Sequence, residues 1–161
     1  MNIGEGISGA VFNGPDCRHR YALWRIWDPD KDFLLFIGLN PSTANEHKDD
    51  PTIRCLIGFA KVWGYGGLFA GNLFSQVTAY PKELIRQSDS SNDEAILKMR
   101  NMTTMVLVGW GNEGHGARPG EVLKLLEGQV FCLRTTKLGE PSHPLYFAKT
   151  SLPTLYLRKA A

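Results

Sequence analysis

The sequence predicts an α/β fold: a single three-layer domain with a mainly parallel, four-stranded core sheet, helices on both faces and an N-terminal β-hairpin. Three observations predict it. Solid apolar runs at Phe33–Ile37, Gly67–Leu73, Met105–Val108 and Gln129–Leu133 have the character of strands covered on both sides. Stretches with helical spacing separate them, so strand and helix alternate from residue 33 to 133. A chain of 161 residues, 43% hydrophobic and 21% charged, suits one domain spanning 1–161 with a core of its own.

Taken in order, Ser8–Phe12 and Arg20–Trp27 read as the hairpin, joined through Asn13-Gly14-Pro15-Asp16. Ala22, Trp24 and Ile26 alternate with Tyr21, Leu23 and Arg25 on the second strand. Asp28-Pro29-Asp30 is a turn into the first core strand. Asp50 precedes Pro51, an N-cap followed by proline at the first helical position, and Ile53, Leu56, Ile57 and Ala60 follow at helical spacing up to Gly64. Ser91-x-x-Glu94 has capping-box spacing ahead of Ala95, Ile96 and Met99. Pro119–Glu127, with Val122, Leu123 and Leu126 inward, forms a short helix closed by Gly128, and Leu155–Leu157 adds an edge strand.

Composition narrows the function classes. No apolar run approaches the roughly 20 residues a membrane helix needs, and the first residues lack a basic region followed by an apolar stretch. Cys17, Cys55 and Cys132 form no Cys-x-x-Cys pair, so a reducing cytoplasm is the expected home. Cys17, His19, His47, His115 and His143 are too scattered for a zinc ligand set, and neither a metal nor a cofactor is expected. A net charge of +2 permits a local phosphate-binding surface without demanding one.

In open parallel sheets, ligands bind beyond the carboxyl ends of the strands. That rule singles out four loops. Gly38-Leu39-Asn40-Pro41-Ser42 offers a close backbone approach, a stiffened turn and an amide able to orient water, or else simply ends a strand. Asn72 presents a paired donor and acceptor suited to the edge of a nucleobase, or caps neighbouring backbone. Gly109–Gly114 satisfies G-x-G-x-x-G, but after the third core strand and short of the next helix, which argues against a dinucleotide site. Arg134, Lys137 and His143 lie on a polar, proline-rich loop that could meet phosphate and donate to a developing anion, or be plain solvated surface.

At these loops the chain closely resembles an uncharacterised bacterial and phage domain family. It carries that family's motifs in order, at residues 38–44, 49–52, 63–67, 72–74, 109–111 and 143–146. A more distant resemblance is to the uracil-DNA glycosylase superfamily, which implies a glycosylase-like fold. Gly38-Leu39-Asn40-Pro41 is similar to its water-positioning loop, Asn72 to its base-reading asparagine, Trp110-Gly111 to a strand end, and His143-Pro144 to its final base-contacting motif. Leu145-Tyr146 departs from the continuation that carries a DNA-wedging leucine there.

The resemblance implies a DNA base N-glycosylase-like protein. Asn40 would hold the attacking water and His143 would stabilise the departing base, the two forming the catalytic pair. Gly38, Pro41, Ser42 and Asn72 would bind the base, Phe74 or Trp110 would stack on it, and Arg134 and Lys137 would meet flanking phosphates. The expected partner is therefore DNA or a nucleotide, and no membrane. Two alternatives stay open: an N-glycosidase of a free nucleotide or nucleoside, and a non-catalytic base- or nucleic-acid-binding module. The four loops are expected to bring Asn40, Asn72, Trp110 and His143 to one cleft, and the glycosylase reading requires Asn40 and His143 to lie at the same end of the sheet.

Overall fold

The computed structural model describes residues 1–158. In chain order it comprises β1 (Ser8–Phe12), β2 (Arg20–Ile26), β3 (Phe33–Gly38), α1 (Pro51–Val62), β4 (Gly67–Asn72), α2 (Ser90–Asn101), β5 (Met105–Val108), α3 (Arg118–Leu126), β6 (Phe131–Cys132) and β7 (Thr154–Leu155). Two single 3-10 turns, Pro81–Glu83 and Pro144–Tyr146, lie in the connections.

The strands form one seven-stranded sheet in the order β1-β2-β4-β3-β5-β6-β7. β4 and β5 flank β3 in parallel, and β6 continues in parallel beside β5. The other pairings, β1 with β2, β2 with β4 and β6 with β7, are antiparallel. The sheet is therefore mixed. This corrects the expected mainly parallel, four-stranded core with its separate hairpin, and the glycosylase-like fold inferred with it.

The reason lies in β2. Leu23 packs with the apolar cluster beneath α1, while Ala22 and Trp24 join the opposite cluster beneath α2 and α3. A strand apolar on both faces cannot stay in a free hairpin without leaving that surface in water. The edge of β4 covers it, with Leu23 opposite Ala70 and Trp24 opposite Phe69. The Trp24 and Phe69 rings stack with centroids 6.4 Å apart. Gly9 makes room on the other side, since a Cβ there would sit 2.1 Å from the Trp24 ring.

Local signals account for the helices. Asp50 accepts from the Ile53 amide and caps α1, and Gly64 follows the helix with φ +86°. The α2 cap differs from expectation. Asp89, not Ser91, fills it by accepting from the Ser91 amide, so the helix begins at Ser90 and the capping-box spacing is incidental. β6 shrinks to two residues because the chain is still turning out of α3 through Glu127 (φ +46°) and Gly128 (φ +77°). Leu56, Phe59 and Ala60 bury α1 on one face of the sheet, and Ala95, Ile96, Met99 and Val122 bury α2 and α3 on the other.

The parallel strands end in register. Gly38 pairs with Asn72 and Ile37 with Val108, so the loops after β3, β4 and β5 leave from one edge. No helix among the described residues is long and apolar enough to cross a membrane.

Candidate functional site

A cleft of about 460 Å³ opens at that edge. The loop after β3 brings Gly38, Asn40, Pro41 and Ser42 to it, β4 brings Asn72, the segment after β5 brings Trp110, and the loop after β6 brings His143. Residues up to 103 positions apart, Asn40 and His143, thus meet across one cavity.

Asn40 is held from behind. Its amide nitrogen donates to the backbone carbonyls of Pro41 (3.0 Å), Thr78 (2.8 Å) and Gln76 (3.4 Å). Three surrounding carbonyls leave no ambiguity about which end carries the hydrogens, and Oδ1 becomes the atom with which Asn40 can meet a water or ligand. The same bonds tie the loop after β3 to the segment following β4.

His143 is half-buried, and its Nδ1 accepts from the Leu145 amide at 3.3 Å. Burial pushes its pKa below the ordinary histidine value, against a smaller opposing pull from the Asp50 carboxylate. The ring is therefore neutral at neutral pH. With Nδ1 occupied as an acceptor, Nε2 carries the hydrogen and is a donor.

Asn72, the last residue of β4, is buried beside Gly38. A Cβ at 38 would come within 3.1 Å of Asn72 Oδ1 and 2.9 Å of Phe36 Cε1, so glycine is what lets the amide and the Phe36 ring lie side by side. Phe36 belongs to the cleft lining and lies between Gly38 and Gly109, whose added Cβ would sit 2.9 Å from Phe36 Cε2.

Four residues expected to meet a ligand are placed differently from that expectation. Trp110 lines the cleft but is 2% exposed, with its indole N–H on Glu140 at 2.7 Å and its ring edge-on to Tyr156, so it has no free face for stacking. Phe74 is outside the cleft lining. Its side chain turns into the core beneath α2 and α3, with Arg86 over the ring at 5.7 Å. Arg134 is exposed and lies 5.1 Å over the Phe147 ring instead of in the cleft. Lys137 is exposed on a tight turn closed by the Thr136–Glu140 backbone bond, also outside the cleft.

Reasoning from sequence missed Phe36, Arg20 and Asp50 as cleft residues. Phe36 was hidden in an apolar strand, and Asp50 was explained by its capping role. Arg20 opens a strand on the far side of β4, and only the mixed topology explains its nearness. The Asp50 carboxylate is 6% exposed and accepts from both the Ile53 and Ala44 amides.

A second cavity, about 700 Å³, contains Ser75 between His19 Nδ1 (2.9 Å) and Asp89 (3.2 Å). Ser75 donates its one hydroxyl hydrogen to Asp89, which makes it a bridge and not an activated nucleophile. Among the described residues no group of three or more His, Cys, Asp or Glu is placed to hold a metal.

The fold and the cleft define an α/β protein with a polar-lined cavity at the carboxyl edge of its parallel strands. The chain belongs to the family described as protein of unknown function (DUF1643), which matches residues 20–145. That span begins at Arg20 and takes in every cleft residue discussed above. No curated protein and no solved structure matches the chain. The uracil-DNA glycosylase resemblance rests on the short motifs alone.

Proposed function

We propose that the cleft recognises a nucleobase and hydrolyses its N-glycosidic bond, the chemistry of a base N-glycosylase. The observation that supports this most is the Leu145 amide bound to His143 Nδ1, which leaves Nε2–H as the ring's donor, in the cavity that also holds the Asn40 and Asn72 amides. In such a reaction the bond from C1′ to the base breaks, the base leaves with the electron pair, and water supplies hydroxide to C1′ and a proton to the base. Asn40 Oδ1 accepts from the attacking water and places it. A neutral donor suits a base on which negative charge builds, because the bond strengthens towards the transition state. Asn72 pairs with the base edge, and Phe36 supplies the aromatic surface that Phe74 and Trp110 do not.

A free nucleotide or nucleoside is favoured over duplex DNA by one observation. Arg134 and Lys137, the expected phosphate-binding pair, both lie off the cleft, and its lining includes the acidic Asp50 and Glu113. The test is to incubate the protein with oligonucleotides carrying modified bases, and separately with free nucleosides and nucleotides. Released base and new abasic sites are measured. Base release that disappears in His143→Ala is the expected result. Ligand binding with no release from any substrate would replace the enzyme reading with that of a base-binding module.

A further inference from the structure

Arg20 is a cation placed where few cations are tolerated. It is 4% exposed, yet it lines the cleft. One guanidinium nitrogen, Nη1, donates to the Ala44 carbonyl at 2.9 Å, but Nε is buried without any hydrogen-bond partner. Arg20 forms no ion pair among the described residues. Asp50 is the carboxylate nearest in effect, but its oxygens are taken up by the Ile53 and Ala44 amides. Burial outweighs the Asp50 attraction and lowers the Arg20 pKa to about 10, which still leaves it charged at neutral pH. A buried guanidinium with unused N–H groups is costly, and an oxyanion in the cleft can offset that cost by accepting from Nη2, which makes no hydrogen bond and, unlike Nε, is not sealed from solvent.

We propose that Arg20 binds the phosphate of a free nucleoside monophosphate whose base occupies the same cleft. The inference rests on the nucleobase reading above and names the ligand's charged part. Two features favour phosphate on a small ligand over the backbone of a duplex. Arg20 is too deep for a phosphate that must stay in a helical backbone at the protein surface. The Ser42 and Thr52 residues line the same cavity, and hydroxyls there can share the remaining phosphate oxygens.

The test uses the wild-type protein and follows the Arg20 Nε–H resonance by NMR. The probes are inorganic phosphate, a panel of deoxynucleosides, their 5′-monophosphates and a short single-stranded oligonucleotide. The Arg20 signal is expected to move with inorganic phosphate and with a monophosphate. The monophosphate should bind at least about tenfold tighter than its nucleoside, the scale of one charge-assisted hydrogen bond. That preference should vanish in Arg20→Gln, and the wild-type resonance still decides if this variant does not fold. An unmoved Arg20 signal overturns the proposal, as does equal affinity for nucleoside and monophosphate, which would leave base recognition standing. Tighter binding of the oligonucleotide at Arg20 overturns the assignment to a free nucleotide. Phosphate binding at Arg20 with no gain from any attached base would keep the anion site and remove the nucleobase reading.

Discussion

His143 and Asn40 differ in how they are held, and substitution should separate them. His143→Ala removes a donor that strengthens as the base departs, so single-turnover rate should drop by about two orders of magnitude with little change in ligand affinity. Asn40 also has a structural role. Asn40→Ala takes the side-chain donor from the Thr78 carbonyl, while the Pro41 carbonyl keeps the Thr78 amide, so a loss of about 1–3 kcal/mol in a urea melt should accompany any kinetic effect. The pH dependence follows from His143. Burial disfavours its charged form, so the neutral ring persists until pH falls below the ordinary histidine value. The rate should therefore be flat through neutrality and fall only in the acid range, as the imidazolium forms and Nδ1 can no longer accept from Leu145. A rate that rises on acidification would contradict the neutral-donor role. The meeting of Asn40, Asn72 and His143 in one cleft was legible in sequence because polar residues after apolar strands converge by topology. The uses of Trp110 and Phe74 were not, since which way a ring turns depends on Glu140, Tyr156 and Arg86, partners far off in the chain.

The start of α2 offers a test at the scale of an element. Asp89 caps the helix through the Ser91 amide and also receives the Ser75 hydroxyl, joining α2 to the segment after β4. Asp89→Ala should cost about 1 kcal/mol or more in equilibrium unfolding, whereas Ser91→Ala should be close to neutral. Equal effects would return the cap to Ser91. The α1 start was readable because Asp50-Pro51 combines a capping side chain with a proline that has no amide hydrogen to satisfy. At α2 several capping-type residues, Ser88, Asp89, Ser90 and Ser91, stand in a row, and spacing alone does not choose among them.

For the whole molecule, the decisive feature is that the N-terminal hairpin continues the sheet. Parallel pairing among β3, β4, β5 and β6 follows the apolar runs and intervening helices, both local. The antiparallel docking of β2 on β4 depends on long-range burial of Leu23 and Trp24, which a hairpin-like pattern does not announce. Trp24→Ala should cost about 3–5 kcal/mol by opening a void between Gly9 and Phe69. If the hairpin were an independent appendage, the loss in thermal or urea unfolding would be far smaller. Docking also brings Arg20 to the cleft, so the same long-range contact shapes both stability and site.

Gly109 touches two things at once. Its backbone has no left-handed torsion to protect, yet a methyl there would press on Phe36 from one side and on the Ser142 carbonyl and Pro144 ring, at 3.1 and 3.2 Å, from the other. Ser142 and Pro144 are the immediate neighbours of His143. Gly109 thus acts as a shim whose thickness sets the gauge between the floor of the cavity and the arm that bears the imidazole. One added carbon, with no change of charge or of any polar group, would widen that gauge and shift the arm that bears His143 relative to Phe36.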